Sequence, residues 1–566
     1  NTRQIKVQKG TFHENREDPG LSTRPQPLAS PSVQFTSQRP PANADDIRFV
    51  LNGVEVGGST AFDGAALSAF YEDDIGREVA LTRIFDIAGA IQGAYRDSDY
   101  IFTRVVVPAQ EIDGGVVRIE VIEALITGVV VEEPDGPVGP VRALAERMVA
   151  PIVGVANPTG AMLERALLNV NEIPGITRAT AVPQADPDDA RGGLQLFVNI
   201  ERDFVEGVIF ADNRLTEGIG RGLIGATARF NSYSEWGDTT SISVLNSFAY
   251  QRDRTGSGQI DGAFDFDERN TIQVVHQRNV GVDGLTLHGE ALYSRTRPGD
   301  ILADAGIQGS QLFFSVGARY PVVRTRQTAF NIGASAEFFE SETDVSNGAL
   351  RVADDRLRIA QLSADVTARD EFGYTRGLLN LRQGLDVLNA SEEGAFDLSR
   401  EDGETDFTML QADVDRLVVF NDDLSFFGKV SGQYSFDPLL SSEEFAIGGL
   451  TYGRGLDPSI FTGDHGVGVS GELRYLYPFE VEGYSVAMEA FGFAEYGIVW
   501  NKGGGVPQRA EVFTLGAGVR FFLPENFVVG LEYATAADIN VSSDAVLPEG
   551  AEVGEPRLFV NFSKRF

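Results

Sequence analysis

The chain has 566 residues, contains no cysteine and carries a formal net charge of −35 at pH 7. Its length predicts several domains, and its acidity argues against a nucleic-acid partner, because a phosphate-binding surface needs clustered lysines and arginines. The absence of cysteine excludes thiol catalysis and cysteine-ligated zinc, and it fits a protein that crosses an oxidising periplasm.

The first 45 residues form a proline-rich tail. Six prolines lie within 23 residues of it, which is too many for a helix. The tail carries six Lys and Arg against four Asp and Glu, so it is mildly basic on a strongly acidic protein. We predict an extended linker over residues 1–45.

Residues 46–133 predict a small α/β unit. A strand over 47–56 precedes two segments, 63–74 and 81–96, whose apolar residues recur at helical spacing. The chain then returns to strand character over residues 100–132, with a hairpin turn at Asp113-Gly114-Gly115. The predicted order is strand, helix, helix, strand, strand.

Residues 134–204 repeat this order more loosely. Two helical segments, 141–154 and 159–175, precede two strand segments, 176–184 and 192–202. A repeated supersecondary unit predicts two adjacent small domains.

From residue 205 to residue 566, apolar and polar residues alternate in short segments. Leu285, Leu287 and Tyr293 share one parity, for example, and the charged Glu290 lies on the other. No window approaches 18 uninterrupted apolar residues, so a membrane would have to be crossed by strands. One apolar and one wet face are typical of a transmembrane β-barrel. About sixteen strands are predicted, beginning near residues 205, 221, 239, 271, 284, 311, 327, 357, 375, 405, 424, 466, 485, 511, 526 and 556.

The last predicted strand is aromatic. Leu558, Val560, Phe562 and Phe566 share one parity. This strand resembles the assembly signal of outer-membrane barrels. We therefore expect Phe566 to be read by the barrel assembly machinery during biogenesis, and outer-membrane lipid to surround the finished barrel.

Three groups of residues match one known pattern. They are a strand-turn-strand group, a helix-end group and a first-barrel-strand group: Pro108, Gln110, Asp113 and Gly114; Leu167, Leu168, Pro174 and Gly175; Asp212 and Asn213. Together they resemble the TpsB transporters of two-partner secretion, also called hemolysin activation/secretion proteins, within the BamA-like superfamily. The resemblance covers nearly all of residues 46–566. It implies two α+β POTRA domains, residues 46–133 and 134–204, followed by a 16-stranded barrel over residues 205–566.

The resemblance extends to a long loop between predicted strands 11 and 12. Residues 445–475 resemble the family's sixth extracellular loop, placed here at about residues 436–465, whose R-G motif folds back into the barrel. The motif residues are Gly453, Arg454, Gly455 and Leu456. In the family, the arginine binds the acidic residue of an F-x-D motif on the next strand but one. Phe493 and Glu495 occupy those positions here, with Glu in place of Asp.

The parity of the residues supports a lumenal partner for Arg454. Val486, Met488 and Ala490 are even-numbered and apolar, so Phe493 and Glu495 face the lumen. On the preceding strand, Glu472 and Arg474 share the lumenal parity. A guanidinium binds a carboxylate bidentately, and three outcomes stay open: pairing with Glu495, pairing with Glu472, or a solvated Arg454.

The residues offer no catalytic chemistry. The four histidines are far apart, and the G-x-G-x-x-G match at residues 220–225 opens a strand instead of a helix. The acidic segments 185–193 and 265–270 are better explained as turns than as calcium sites. We predict no enzyme, no catalytic residue, no metal and no cofactor.

The resemblance implies a function. We expect a monomeric pore in the outer membrane of a Gram-negative bacterium, with its POTRA domains in the periplasm. It would export a dedicated β-helical exoprotein such as an adhesin, a hemolysin or a contact-dependent toxin, without ATP. The alternatives are a barrel-insertion factor of the BamA type and a solute channel; two POTRA domains favour export. In the family an N-terminal segment often plugs the pore, and the basic tail is a candidate for that role.

Overall fold

A computed structural model describes residues 38–133, 139–189, 193–250, 264–265, 268–299, 305–503, 507–542 and 553–566. Most of the predicted tail, including any plug, lies outside the described residues, as do parts of the two acidic segments. Within the described part of the tail, residues 42–46 form turns.

The first domain is a three-stranded sheet covered by helices. Its strands are β1 (Arg48–Val50), β2 (Gly53–Gly57), β3 (Glu78–Ala80), β4 (Arg104–Val106) and β5 (Val116–Ile122), and its helices are Gly64–Ser68, Leu81–Asp97 and the 3-10 turn Glu72–Asp74. The order of the three-stranded sheet is β2-β5-β4, with β2 parallel to β5, and β1 and β3 form a separate antiparallel pair. The long helix buries Ile84, Ile87, Ile91 and Tyr95 against this sheet.

A carboxylate follows β5 directly and closes the first domain. Glu123 accepts hydrogen bonds from the N–H groups of Thr60 (2.7 Å) and Ala61 (2.9 Å). It also accepts the hydroxyl of the fully buried Tyr95 at 2.8 Å. These bonds fix the loop after β2 to the end of the sheet.

The second domain repeats the fold of the first. It contains β6 (Ile126–Glu132), β7 (Ile176–Ala185), β8 (Leu194–Arg202), the helices Arg142–Val149 and Gly160–Asn171, and the 3-10 turn Ala150–Ile152. The sheet order is β6-β8-β7, with β6 parallel to β8. The described helices are all too short or too polar to span a membrane.

The boundary between the two domains differs from the predicted one at residues 133 and 134. Because β6 pairs with β8, residues 126–132 belong to the second sheet. The sequence runs from β5 into β6 as one nearly continuous β-branched stretch. The two strands belong to different sheets only because they pair with different strands, and the apolar pattern of a sequence does not reveal which strands pair.

Within the described residues, sixteen antiparallel strands form a closed barrel, which confirms the predicted fold class. They are β9 (Val205–Asp212), β10 (Gly222–Asn231), β11 (Thr239–Tyr250), β13 (Arg269–Val280), β14 (Leu285–Thr296), β15 (Gln308–Arg324), β16 (Thr328–Val345), β17 (Leu350–Asp370), β18 (Gly373–Gly384), β19 (Thr408–Val419), β20 (Leu424–Ser435), β23 (His465–Val481), β24 (Tyr484–Trp500), β25 (Arg509–Leu523), β26 (Phe527–Val541) and β27 (Pro556–Arg565). The short β12 (Phe264–Asp265) extends the ladder of β11, and β27 closes the barrel on β9.

The alternation of the strands separates lipid from lumen. On β14, Leu287 and Tyr293 are nearly half exposed on the outer surface, whereas Ser294 is buried inside. Predicted strand starts agree with the structure within three residues, except that β17 begins at Leu350 instead of residue 357. The first residues of β17 include Arg351, Asp354 and Asp355, so charges occupy both parities and hide the start of the strand.

The second domain is fixed to the turn between β10 and β11. The ring of Trp236 in that turn has two guanidinium carbons near its centroid, Arg147 at 5.6 Å and Arg278 at 5.5 Å. Arg147 also donates to the backbone carbonyl of Glu235 at 3.0 Å. Arg147 belongs to the second domain and Arg278 to the barrel, so Trp236 joins the two bodies.

Candidate functional site: loop 6 inside the barrel lumen

Loop 6, residues 436–464, connects the eleventh and twelfth barrel strands and folds into the lumen. A small hairpin of β21 (Phe445–Ile447) and β22 (Phe461–Gly463) organises it. Ile447, Leu456 and Phe461 are buried against wall residues of β24, β25 and β26. The loop is therefore packed on the inner wall and is not a free surface excursion.

The barrel wall is thinned by glycine where loop 6 packs. A Cβ atom added at Gly468 would overlap the ring of Tyr452, and one at Gly497 would lie 2.9 Å from Ile447. Tyr452 donates its hydroxyl to Ser431 of the wall at 2.7 Å. Gly466 and Gly468 on β23 and Gly497 on β24 thus make a shallow seat for the loop.

The tip of loop 6 needs glycine on both sides of the arginine. Gly453 has a φ angle of +101°, which is unfavourable for a residue with a Cβ atom. A Cβ atom at Gly455 would lie 2.5 Å from the backbone carbon of Thr535 in the opposite wall. The two glycines therefore fix where Arg454 can enter the lumen.

Arg454 is buried among carboxylates and is not solvated. Its Nε lies 2.7 Å from Glu495, and its Nη1 lies 3.0 Å from Glu472 and 3.4 Å from Glu532. The two pairings weighed as alternatives in the sequence exist together. Its guanidinium carbon lies 3.4 Å from the ring centroid of Phe493, so the structure brings Arg454, Phe493 and Glu495 together.

Glu495 also binds the backbone of the loop. One carboxylate oxygen accepts the N–H groups of Gly453 (2.8 Å) and Arg454 (3.0 Å), and the hydroxyl of Thr514 (3.1 Å). Glu495 is only 2 % exposed. Glu495 therefore binds both the backbone at the loop tip and the side chain of Arg454.

The site contains further charges that face one another. Arg474 and Arg520 bind Glu472 at 2.8 and 3.0 Å, and Arg520 also binds Glu489 at 2.7 Å. Arg214 of loop 1, the connection between β9 and β10, binds Glu532 at 3.1 Å. Buried charges are tolerated when paired and hydrogen-bonded. We call this set the lumen cluster: Arg214, Arg454, Arg474, Arg520, Glu472, Glu489, Glu495 and Glu532.

The sequence pointed to some members of the lumen cluster and missed others. Glu472 and Arg474 lie where their parity predicts, and Glu532 carries the same lumenal parity on β26. Arg520 also alternates with apolar residues on β25, so parity was the available signal. Arg214 lies in a loop without periodicity, and its place beside Asp212-Asn213 was the only hint.

The base of loop 6, next to the barrel strands it connects, is held separately. Arg400 of loop 5, residues 385–407, lies 2.7 Å from Asp464 and 3.2 Å from Glu444. Arg382 on β18 bridges Glu337 (2.8 Å) and Glu443 (3.1 Å). The loop is thus anchored by ion pairs at its base and at its tip. The described residues contain no group of three or more His, Asp or Glu arranged to hold a metal ion.

The family follows from the sequence of the barrel. Residues 197–521 match the family model described as haemolysin secretion/activation protein ShlB/FhaC/HecB, and residues 49–124 match the POTRA domain of the ShlB type. The chain belongs to this secretion family. It is therefore an outer-membrane pore of two-partner secretion with its POTRA domains in the periplasm, and the predicted TpsB transporter is confirmed.

Individual relatives are distant in sequence. The heme/hemopexin transporter protein HuxB of Haemophilus influenzae strain 86-028NP is 22% identical over 547 residues, which cover 92% of this chain and 90% of that protein. CdiB from Escherichia coli superposes with a TM-score of 0.65 at 15% identity, covering 98% of this chain and 96% of that one.

Two other solved structures share the fold. CdiB from Acinetobacter baumannii superposes with a TM-score of 0.61 at 14% identity, covering 98% of this chain and 97% of that one. BamA from Haemophilus ducreyi lacking POTRA domains 1–3 gives a TM-score of 0.52 at 11% identity, covering 91% of this chain and 99% of that one. This BamA structure thus shares the fold, but the matched family is the secretion family.

Proposed function

We propose that this pore exports one dedicated exoprotein of the β-helical class, such as an adhesin, a haemolysin or a contact-dependent toxin, and that loop 6 obstructs the lumen until that partner arrives. The observation that carries the proposal is the burial of Arg454 in the lumen cluster. A loop held by ion pairs at tip and base fills space that a secreted polypeptide would need.

In this proposal, the periplasmic domains recognise the partner as an extended segment. Such a segment adds to the edge of a sheet through backbone hydrogen bonds. The residue that follows the edge strand β4 supports this idea, because the side-chain amide of Gln38 donates to the carbonyl of Val107 (3.3 Å) and accepts its N–H (2.7 Å). The amide of Gln38 thus makes the same pair of hydrogen bonds to the backbone that a residue of an added strand would make.

Passage then requires loop 6 to leave its seat. The seat is a discrete arrangement of ion pairs and packed apolar residues, so loop 6 is a two-position element of the kind that supports switching. The free energy for translocation would come from folding of the partner outside the cell, without ATP.

The assignments for biogenesis also belong to the proposal. Phe566 continues the pairing of the last strand, exchanging backbone hydrogen bonds with Gly207 at 2.8 and 3.0 Å. Its ring is exposed on the outer surface, which supports recognition by the barrel assembly machinery. A monomeric pore and a tail that plugs the lumen stay predictions.

The test compares cells with and without this chain, complemented by the wild-type chain as a control. Proteins of the medium and of the outer membrane are quantified by mass spectrometry. We expect the loss of one large exoprotein from the surface and medium, with other outer-membrane barrels unchanged. A general loss of barrels would contradict export and identify an insertion factor.

A further inference from the structure

Glu532 is shared by two cations from two different loops. Arg214 of loop 1 binds both of its oxygens, at 3.1 and 3.2 Å, and Arg454 of loop 6 approaches one of them at 3.4 Å. Arg214 is 9 % exposed and lies over the ring of Phe559, 4.6 Å from its centroid. Two buried guanidinium groups therefore compete for one carboxylate.

Arg214 is anchored independently of loop 6. Its neighbour Asn213 donates its amide to the carbonyl of Leu558 (3.1 Å) and accepts the N–H of Val560 (2.8 Å). These bonds continue the ladder of β27 past the end of β9. Loop 1 is thus fixed to the barrel wall by bonds that do not involve loop 6.

The charges of the lumen cluster give Arg214 a role in that movement. Arg214 and Arg454 carry like charges on the same carboxylate, so each weakens the attraction that the cluster exerts on the other. When Arg454 leaves, Glu532 keeps a bidentate partner and no buried carboxylate is orphaned there. Without Arg214, departure of Arg454 would leave Glu532 with no direct ion-pair partner among the described residues.

We propose that Arg214 is a positioning residue that makes loop 6 releasable, because it remains as the counterion of Glu532 when Arg454 leaves. The proposal rests on the proposed function, in which loop 6 leaves the lumen. It predicts effects of opposite sign from the two partners of one ion pair. Loss of the Arg214 charge tightens the hold on loop 6, and loss of the Glu532 charge loosens it.

The absence of native cysteine allows a direct measurement. Leu456 lies beside Arg454, is 1 % exposed and packs on the wall, so a cysteine placed there reacts with a maleimide only after loop 6 has moved. The full chain carrying Leu456→Cys is labelled in outer membranes, and the rate is compared across variants. Arg214→Met keeps the contact with Phe559 but removes the charge, Arg214→Lys keeps the charge, and Glu532→Gln removes the carboxylate charge.

We expect labelling about tenfold slower with Arg214→Met and about tenfold faster with Glu532→Gln, and within about twofold of the parent with Arg214→Lys. Arg319→Ala is the matched control, because it removes a bidentate wall pair with Asp365 that contacts neither loop. It should leave the rate unchanged. Misfolding exposes the cysteine, so it cannot imitate the slow rate of Arg214→Met.

Two results would overturn the inference, and they are distinguishable. If Arg214→Met and Glu532→Gln both accelerate labelling, the pair is merely structural, and the proposed function survives. If the parent is never labelled while the exoprotein is being secreted, loop 6 does not leave, and the proposed switch and the inference both fail. The frequency of channel openings, recorded with the protein in planar bilayers, gives a second readout. It is expected to fall with Arg214→Met and to rise with Glu532→Gln.

Discussion

Phe493 lies flat beneath the guanidinium of Arg454, with the guanidinium carbon 3.4 Å from the ring centroid. Glu495 is two residues further along the same strand and binds the edge of that group. Because residues two apart share one face of a strand, ring and carboxylate approach the cation from below and from the side. Only a planar, forked cation satisfies both, so this seat selects arginine over lysine.

Replacement of Arg454 should abolish control of the loop without preventing assembly of the barrel. We expect Arg454→Ala to reduce secretion of the partner by about tenfold or more, because the tip loses its three ion pairs and its ring contact and with them the defined closed position from which the partner triggers release. Arg454→Lys should restore secretion only in part. Secreted partner is measured by immunoblot, and barrel assembly by heat-modifiable gel mobility; normal secretion by Arg454→Ala would remove loop 6 from the mechanism.

Removing the charge of Glu495 should weaken the binding of loop 6 more than shortening its side chain by one methylene does. Glu495→Gln removes the charge facing Arg454 and weakens the hold on loop 6 by about 3 kcal/mol, whereas Glu495→Asp keeps the charge and costs about 1 kcal/mol. Arg454 is itself a trypsin site that burial protects. We expect trypsin to cut there fastest in Glu495→Gln; equal rates in both variants would show that charge is not the deciding property.

Asn213 should contribute to the closure of the barrel. Its side chain supplies two ladder hydrogen bonds to β27, and Asn213→Ala should destabilise the barrel by about 1–2 kcal/mol. The temperature at which the folded gel band converts to the unfolded one should fall. Asn540→Ala, at an exposed site on β26, is the control, and a similar fall in that variant would contradict a special role of Asn213.

Trp236 should hold the second POTRA domain against the barrel. Trp236→Ala removes both guanidinium contacts, which together stabilise the junction by about 1–2 kcal/mol, whereas Trp236→Phe keeps a ring between Arg147 and Arg278. Hydrogen exchange in the helix Arg142–Val149 should become faster in the alanine variant and change little in the phenylalanine variant. Unchanged exchange in both would place the stability of the junction elsewhere.

The first POTRA domain should lose stability in acid through Glu123. Burial opposes ionisation of this carboxyl, but hydrogen bonds from Thr60, Ala61 and Tyr95 outweigh it and hold the pKa below its usual value. A depressed pKa stabilises the fold above the unfolded-state pKa, and that contribution is lost as the pH falls through the folded-state pKa. In calorimetry of the full chain, the unfolding temperature of the periplasmic domains should fall as the pH is lowered from about 5 to about 3. In Glu123→Gln, this unfolding temperature should already be lower at neutral pH and should depend less on pH.

The residues of the site that could be predicted from the sequence are those on strands, where side chains alternate between the two faces. Glu472, Arg474 and Glu495 could be placed in the lumen because a strand alternates its faces without exception along these segments. Arg214 could not, because its position depends on how loop 1 folds back onto β27. The resemblance favoured Glu495 over Glu472 as the partner of Arg454, and the structure has both pairings because the fork of one guanidinium reaches both.

The boundary between the POTRA domains was missed for a related reason. Alternation and β-branched content identify a strand, but they do not identify its partner. Residues 126–132 are a strand in either assignment, and only their parallel ladder with β8 places them in the second sheet. Pairing is a property of the whole chain, whereas periodicity is local.

The short connection between the two periplasmic sheets has a consequence for a passenger polypeptide. β5 ends at Ile122 and β6 begins at Ile126, so residues 123–125 are the whole link. Fully extended, such a link reaches only about 13 Å between its flanking residues. The link therefore keeps the start of β6 close to the end of β5, and under the proposed function we expect a passenger segment to contact both sheets at once.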